Sequence, residues 1–213
     1  VYRTRSFALV LLALALVSGS REVPLPTSAP APTPAPAPPR PAEIPTPGPS
    51  ELRLQVAIAE QLASRRTGLG SSEIANLASA IVSEARAHDF DPSLVLAVIE
   101  VESNFDNFAV SPVGALGLMQ IMPSTGEALA LRVGIDWHGN RTLFDPVLNV
   151  KLGVAYLHEL RERFGHLPTV LAAYNWGPGR IGRWVRSGSA LPVHYAQRVL
   201  SARAEAIGPV GAS

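Results

Sequence analysis

Cysteine is absent from all 213 residues. That excludes disulfides, Cys-ligated zinc, a thiol nucleophile and a lipidated N-terminal cysteine. It is compatible with an oxidising compartment but does not place the chain in one. An excess of either charge is missing too: the formal charge is +1, of which Arg3 and Arg5 supply two positives. Nothing in that balance argues for electrostatic capture of nucleic acid. The five histidines are scattered, and the residue four after His158 in His158-Glu159 is Glu162 rather than a second histidine. No metal and no cofactor are therefore expected. Ser103 and Ser124 lie in no G-x-S-x-G elbow. Runs of alternating Val, Ile, Thr and Tyr that would mark strands do not occur, and no period of about 20–50 residues repeats. Gly177-Pro178-Gly179-Arg180-Ile181-Gly182 spells a dinucleotide fingerprint, but it follows a helical pattern with no βαβ unit around it, so a nucleotide site is not read there.

What is present divides the chain into three. Arg3 and Arg5 precede the apolar run Phe7 to Val17, and Ser18, Gly19 and Ser20 follow. A basic start, an apolar run of about 7–15 residues and a small-residue exit describe a secretory signal peptide. The run is short of the roughly 20 residues that span a bilayer. The absence of a strong A-x-A site leaves an uncleaved membrane anchor as the alternative, so residues 1–20 are expected to be signal or anchor. Twelve of the twenty prolines then fall between Pro24 and Pro49, interleaved with Ala, Thr and Ser. Such a segment (21–50) cannot build a core and is expected to form an extended polyproline spacer reaching roughly 80 Å. Residues 51–213 are read as one domain, with 47% hydrophobic residues in the chain to supply its core.

Helical period runs through that domain, and an all-α fold of seven or eight helices is predicted. Glu51 to Arg66 is amphipathic and is closed by Gly68 and Gly70. Ser71 or Ser72 is expected to cap a helix running to about His88. Asp91-Pro92 and Asp145-Pro146 each pair a cap with proline at the first helical position. The second of these launches the longest helix, to about Phe164 before Gly165. Ser124 to Leu131 reads as a short helix and Arg132 to Leu143 as a loop. Helices are further expected from Leu167, over Arg180 to Arg186, and from Pro192 to Ala206.

The domain is organised around Leu94 to Ser124, an apolar helix ending on Glu102-Ser103, then a loop rich in Gly, Ser and Asn. An acid at the C-terminal end of an apolar helix is a poor choice for stability. The macrodipole there favours cations, and a low dielectric disfavours the carboxylate. Val98 and Ile99, at i−4 and i−3, supply an apolar wall on its own face. The pKa of Glu102 is thus predicted above the ordinary glutamate value of about 4.3, as suits a general acid. A solvated helix-end glutamate is the plain alternative. No second carboxylate stands out: Glu100 faces elsewhere, and Asp91 and Asp106 read as cap and turn.

Three segments sharpen the choice: Glu102-Ser103 with Ser111-Pro112-x-Gly114; Gly117-Leu118-Met119-Gln120-x-Met122-Pro123; and Ala173-Tyr174-Asn175-x-Gly177. In this order and spacing, together with Asp145-Pro146…Asn149…Gly153…Tyr156-Leu157, they resemble the soluble lytic transglycosylase family, whose fold is similar to goose-type lysozyme. The resemblance covers about 91–184. It implies that Glu102 is the single catalytic acid and that Ser111 hydrogen-bonds near the carboxylate and the sugar acetamido group. It implies further that Gln120 and Met122 line the sugar cleft, with Met119 in the same motif. Tyr174 would stand beside the acid, with Asn175 following it.

The implied activity is non-hydrolytic cleavage of the β-1,4 bond between N-acetylmuramic acid and N-acetylglucosamine, leaving 1,6-anhydro ends. A lone acid fits substrate assistance, a known exception to the two-carboxylate rule. A muramidase on the same fold and an inactive glycan-binding or assembly module are the rival readings. The implied partner is the peptidoglycan strand, acted on by an exported monomer in the periplasm or cell envelope. One departure stands out. Family members often carry a Glu-Thr pair between a Leu-Pro and a later Tyr, whereas Leu191-Pro192 here passes through Val193-His194 directly to Tyr195. Arg180, Arg183 and Arg186 recur at i, i+3 and i+6, as a solvated face or as a contact for anionic glycan or peptide stems.

Overall fold

Proline and aspartate set most of the helix starts. In the computed structural model, which describes residues 47–206, α1 spans Pro49–Ala63, α2 Ser71–Ala87, α3 Pro92–Ser103, α4 Pro123–Val133, α5 Pro146–Phe164, α6 Leu167–Trp176, α7 Pro178–Ser187 and α8 His194–Ala206. Every one of these except α2 and α8 has proline at its first or second position, where the missing N–H is not needed. Asp91 Oδ1 accepts the Ser93 N–H at 2.8 Å, and Asp145 Oδ1 accepts those of Val147 and Leu148 at 3.0 Å each. Residues 1–20, expected to be signal or anchor, and nearly all of the proline-rich segment lie outside the described residues. No helix among the described residues is long and apolar enough to cross a membrane.

Several boundaries differ from the sequence reading: α1 ends at Ala63, α7 begins at Pro178 and α8 at His194, and three further differences have a local cause. The first helix begins at Pro49, so the last prolines of the spacer include a helix start. Neither Ser71 nor Ser72 caps α2: Gly70 is the cap residue, and Glu73 Oε2 reaches back to accept its N–H at 2.8 Å. The stretch 132–143 is not all loop. α4 continues to Val133, and Gly139–Phe144 forms a 3₁₀ turn. Among the described residues there is no strand, only two isolated bridges, Val110–Leu116 and Leu116–Ile121.

The centre of the domain is α3. Its six consecutive residues Leu94 to Ile99 are each no more than 4% exposed, as befits a helix apolar on every side. Relative to an exposed position, burying each of the larger side chains contributes roughly 1.5–3 kcal/mol. The helix lies between α2 and α8; α2 also packs on α1 and α5, while α6 joins α5, α7 and α8. The start of α8 meets the end of α3 and the reverse holds at the other ends. Arg198 Nη2 donates to the Val101 carbonyl at 3.2 Å, and Arg203 donates to Ser93 Oγ at 3.1 Å and to Asp91 Oδ2 at 3.3 Å. The two helices are therefore antiparallel, and the pairing fixes what faces the last turn of α3.

Candidate active site

The last turn of α3 carries Glu102, half-buried. Its apolar surroundings are as expected, with Val98 and Ile99 both fully buried. Ser103 turns its hydroxyl back to the Ile99 carbonyl at 3.1 Å and is spent within the helix. The partner of the carboxylate comes from the far end of the chain: Tyr195 Oη donates to Glu102 Oε1 at 2.5 Å. Burial pushes the Glu102 carboxyl above its ordinary range. The Tyr195 hydrogen bond and the nearby Arg198 guanidinium oppose that shift without cancelling it. The result is an acid held partly out of water, with one lone pair already engaged.

The other acids are occupied elsewhere. Glu100 pairs with Arg65 at 3.5 Å, Asp91 caps α3, and Asp106 Oδ1 accepts the Phe108 N–H at 2.9 Å in a local turn.

Beyond Glu102 the chain reverses through Asn104 and Phe105, both at positive φ, with Phe105 sunk fully into the core. It then folds into a loop that docks on α5. Asn149, fully buried, accepts the Met119 N–H at 2.8 Å and donates to the carbonyls of Leu143 at 2.8 Å and Leu116 at 3.1 Å. One amide side chain thus serves three buried main-chain groups; the Leu116 carbonyl also accepts the Ile121 N–H, while the other two would each carry a desolvation cost of about 1–3 kcal/mol without it. Two close approaches make this docking possible. A Cβ on Gly117 would lie 2.2 Å from the Leu143 carbonyl oxygen, and one on Gly153 would lie 2.3 Å from Met119 Sδ.

That last contact corrects the expectation for Met119. Its side chain is fully buried against Gly153 and cannot reach a ligand. Only its carbonyl matters to the site, accepting from Tyr174 Oη at 2.7 Å. Tyr174 consequently does not hydrogen-bond the acid; Tyr195 does. Burial, and then the Glu102 charge, push the Tyr174 hydroxyl well above its usual range, so it remains a donor. Ser111 sits in the Ser111–Ala115 turn, where its N–H bonds the Ala115 carbonyl and its Oγ accepts the Ala115 N–H, each at 2.9 Å.

The remaining expected residues do converge. Gln120, Met122, Tyr174 and Asn175 line one groove of about 330 Å³ with Tyr156, Trp176, Gly177 and Pro178. Tyr156 and Tyr174 are tilted at 47° to each other with centroids 5.3 Å apart and give the groove an aromatic wall. Gln120 uses its Nε2 to tie the loop, donating to Gly117 O at 2.9 Å and Ala109 O at 3.1 Å. No aspartate or glutamate lines the groove. Tyr174 links the two parts of the site, since it forms part of the groove and feels the charge of Glu102. Sequence reasoning missed Tyr195 as a site residue, treating it as the landmark of a shortened segment. The helical phase it shares with Ala196 and Val199, all buried, was the signal that could have turned it inward.

An all-helical, lysozyme-like domain is the class this architecture defines. Residues 79–194, more than half of the chain, match the family model described as the transglycosylase SLT domain. The chain belongs to that family. It is 38% identical over 102 residues to the soluble lytic murein transglycosylase of Salmonella typhimurium, covering 47% of this chain and 16% of that one. It is 37% identical over 107 residues to the membrane-bound lytic murein transglycosylase C of Actinobacillus pleuropneumoniae, covering 46% and 29%. Among solved structures it resembles the lytic transglycosylase Slt inactive mutant E503Q from Pseudomonas aeruginosa, at 32% identity and a TM-score of 0.54 over 60% of this chain and 23% of that one. The chain thus spans less than a third of the length of these curated relatives.

Proposed function

We propose that this domain is a peptidoglycan lytic transglycosylase in which Glu102 serves first as acid and then as base. The observation that carries the reading is a lone carboxylate, raised in pKa by burial and held by Tyr195, beside a groove that offers no second acid. The names of the relatives, soluble and membrane-bound lytic murein transglycosylases, support the same substrate class.

In this mechanism protonated Glu102 gives its proton to the glycosidic oxygen as the C1–O bond of the muramyl residue breaks. The carbonyl oxygen of that sugar's own acetamido group bonds to C1, which supplies the nucleophile that a second carboxylate provides in most glycosidases. Glu102, now ionised, takes the proton of the C6 hydroxyl. The C6 oxygen then bonds to C1, the acetamido group leaves, and a 1,6-anhydro ring closes with Glu102 again protonated. No water enters. Tyr195 fixes the carboxylate through both halves, and the charge-relieving donation matters most when the group is an anion. Gln120 presents its amide oxygen, Asn175 its amide, and Tyr156, Tyr174 and Trp176 their rings to the sugars in the groove. We place residues 1–20 as export signal or anchor and 21–50 as the spacer that carries a monomeric catalytic domain within the cell envelope.

The test is Glu102→Gln together with product masses. The variant is expected to lose about 10²–10⁴-fold in rate on purified sacculi. Wild-type products are expected to lack one water at the muramyl end. Hydrated reducing ends would instead establish a muramidase, and an undiminished Glu102→Gln rate would leave only a binding module.

A further inference from the structure

Carboxylates are absent from a long part of this chain. Between Glu162 and Glu205 there is no aspartate or glutamate, while Arg163, Arg180, Arg183, Arg186, Arg198 and Arg203 all fall there. Arg198 and Arg203 are used against α3. The other four are exposed and gather around α7. None of them forms an ion pair among the described residues.

Their placement is directional. Gly177 and Pro178, at the start of α7, form part of the groove wall. Each arginine of α7 folds back one turn toward that end, as helical side chains do. The Arg180 guanidinium lies over the ring of Trp176, 5.1 Å from its centroid, and Trp176 is itself a groove residue. Arg183 Nη1 lies 3.9 Å from the Cβ position of Gly179. Arg186 Nη1 and Arg163 Nη2, the latter from α5, converge on Gly182, at 3.4 and 3.3 Å from its Cβ position. Four like charges on one surface repel one another without an acid between them. A solvated face meant only for solubility would intersperse both signs.

We propose that this arginine surface is a subsite for the carboxylates of the peptide stem carried by the muramyl residue bound in the groove. The proposal rests on the peptidoglycan reading above and names the part of the substrate beyond the sugar. A stem is the anion that arrives covalently attached to the bound sugar, through the lactyl group. The stacked Arg180–Trp176 pair stands where the groove passes into the cationic surface. Guanidinium forks match carboxylates bidentately. The domain accordingly prefers stem-bearing glycan to stripped glycan.

The experiment measures sedimentation of Glu102→Gln protein with intact sacculi and with sacculi whose stems have been removed by an amidase. The ratio of the two affinities is expected to be about tenfold at low salt, three exposed charge contacts each contributing a factor of about two. It should collapse toward one at about 500 mM salt. Adding R180Q, R183Q and R186Q is expected to bring the ratio near one at low salt, whereas the matching lysine substitutions retain a salt-sensitive preference. Equal affinity of the parent protein for both sacculi overturns the subsite and leaves the peptidoglycan reading intact. Loss of the preference on removing anionic phosphodiester polymers rather than stems overturns it likewise. Binding to neither sacculus, with no cleavage by wild type, removes the peptidoglycan reading itself.

Discussion

The two ends of the site are built on opposite principles. At the Glu102 end side chains are tied to the protein itself: Tyr195 to the carboxylate, the Ser103 hydroxyl to Ile99, Asn149 to three main-chain groups. At the Asn175–Trp176 end the side chains are exposed, and the amide of Asn175 has no hydrogen bond among the described residues. The closed end resists movement of the atoms that would do chemistry, where a misplacement of about 1 Å is costly. The open end leaves its hydrogen-bonding capacity for a ligand. Rigidity and vacancy thus lie on either side of Tyr174, and each is exposed to a different kind of substitution.

The largest effect should come from breaking the closed end at its buried amide. Asn149→Ala strands the carbonyl of Leu143 and the N–H of Met119, and leaves the Leu116 carbonyl only the Ile121 N–H. It is expected to cost roughly 3 kcal/mol or more, seen as a fall of about 6–12 °C in Tm. A Tm change under about 2 °C would mean that the loop does not depend on this strut.

A smaller and more selective effect is expected from Tyr195→Phe, which keeps the ring and removes the donor. The hydrogen bond holds the Glu102 pKa down against burial, so its loss lets that pKa rise further. The acid form then persists to higher pH, and the alkaline limb of the pH–rate profile moves upward. A loss of about tenfold in kcat is expected alongside, equivalent to about 1.4 kcal/mol. An unmoved limb would separate Tyr195 from the titration of Glu102.

The smallest effect has the opposite sign. Because the folded-state pKa of Glu102 lies above its unfolded value, the folded protein binds more protons in that window, and stability falls as pH rises through it. Glu102→Gln removes the penalty and is expected to raise Tm at pH 7 by about 2–4 °C, about 1 kcal/mol. The gain should vanish below about pH 4, where both forms of the protein carry a neutral group at 102. A destabilised variant at neutral pH would show that the carboxylate is better accommodated than its surroundings indicate.

Much of the frame was legible because cap chemistry is local. Asp91-Pro92, Asp145-Pro146 and Gly165 mark boundaries within a few residues of themselves, and the elevated pKa of Glu102 follows from Val98 and Ile99 one turn away. The 3₁₀ turn at Gly139–Phe144 was not legible, since six residues at that pitch leave no period to read. Met119 was misplaced for a related reason. Gln120 at φ +48 reverses the chain, so neighbours in one motif point to opposite sides, Met119 inward and Met122 outward. Tyr195 lies 93 residues from its partner, and only the antiparallel run of α8 along α3 brings them together. A motif written along one helix cannot announce a contact supplied by another.

That antiparallel pairing also orders events in time. A chain threaded out N-terminus first presents Glu102 about ninety residues before the hydroxyl that aims it. In the interval the carboxylate is one solvated side chain among many and titrates like any other. The restraint on that carboxylate therefore arrives only once α8 has packed along α3.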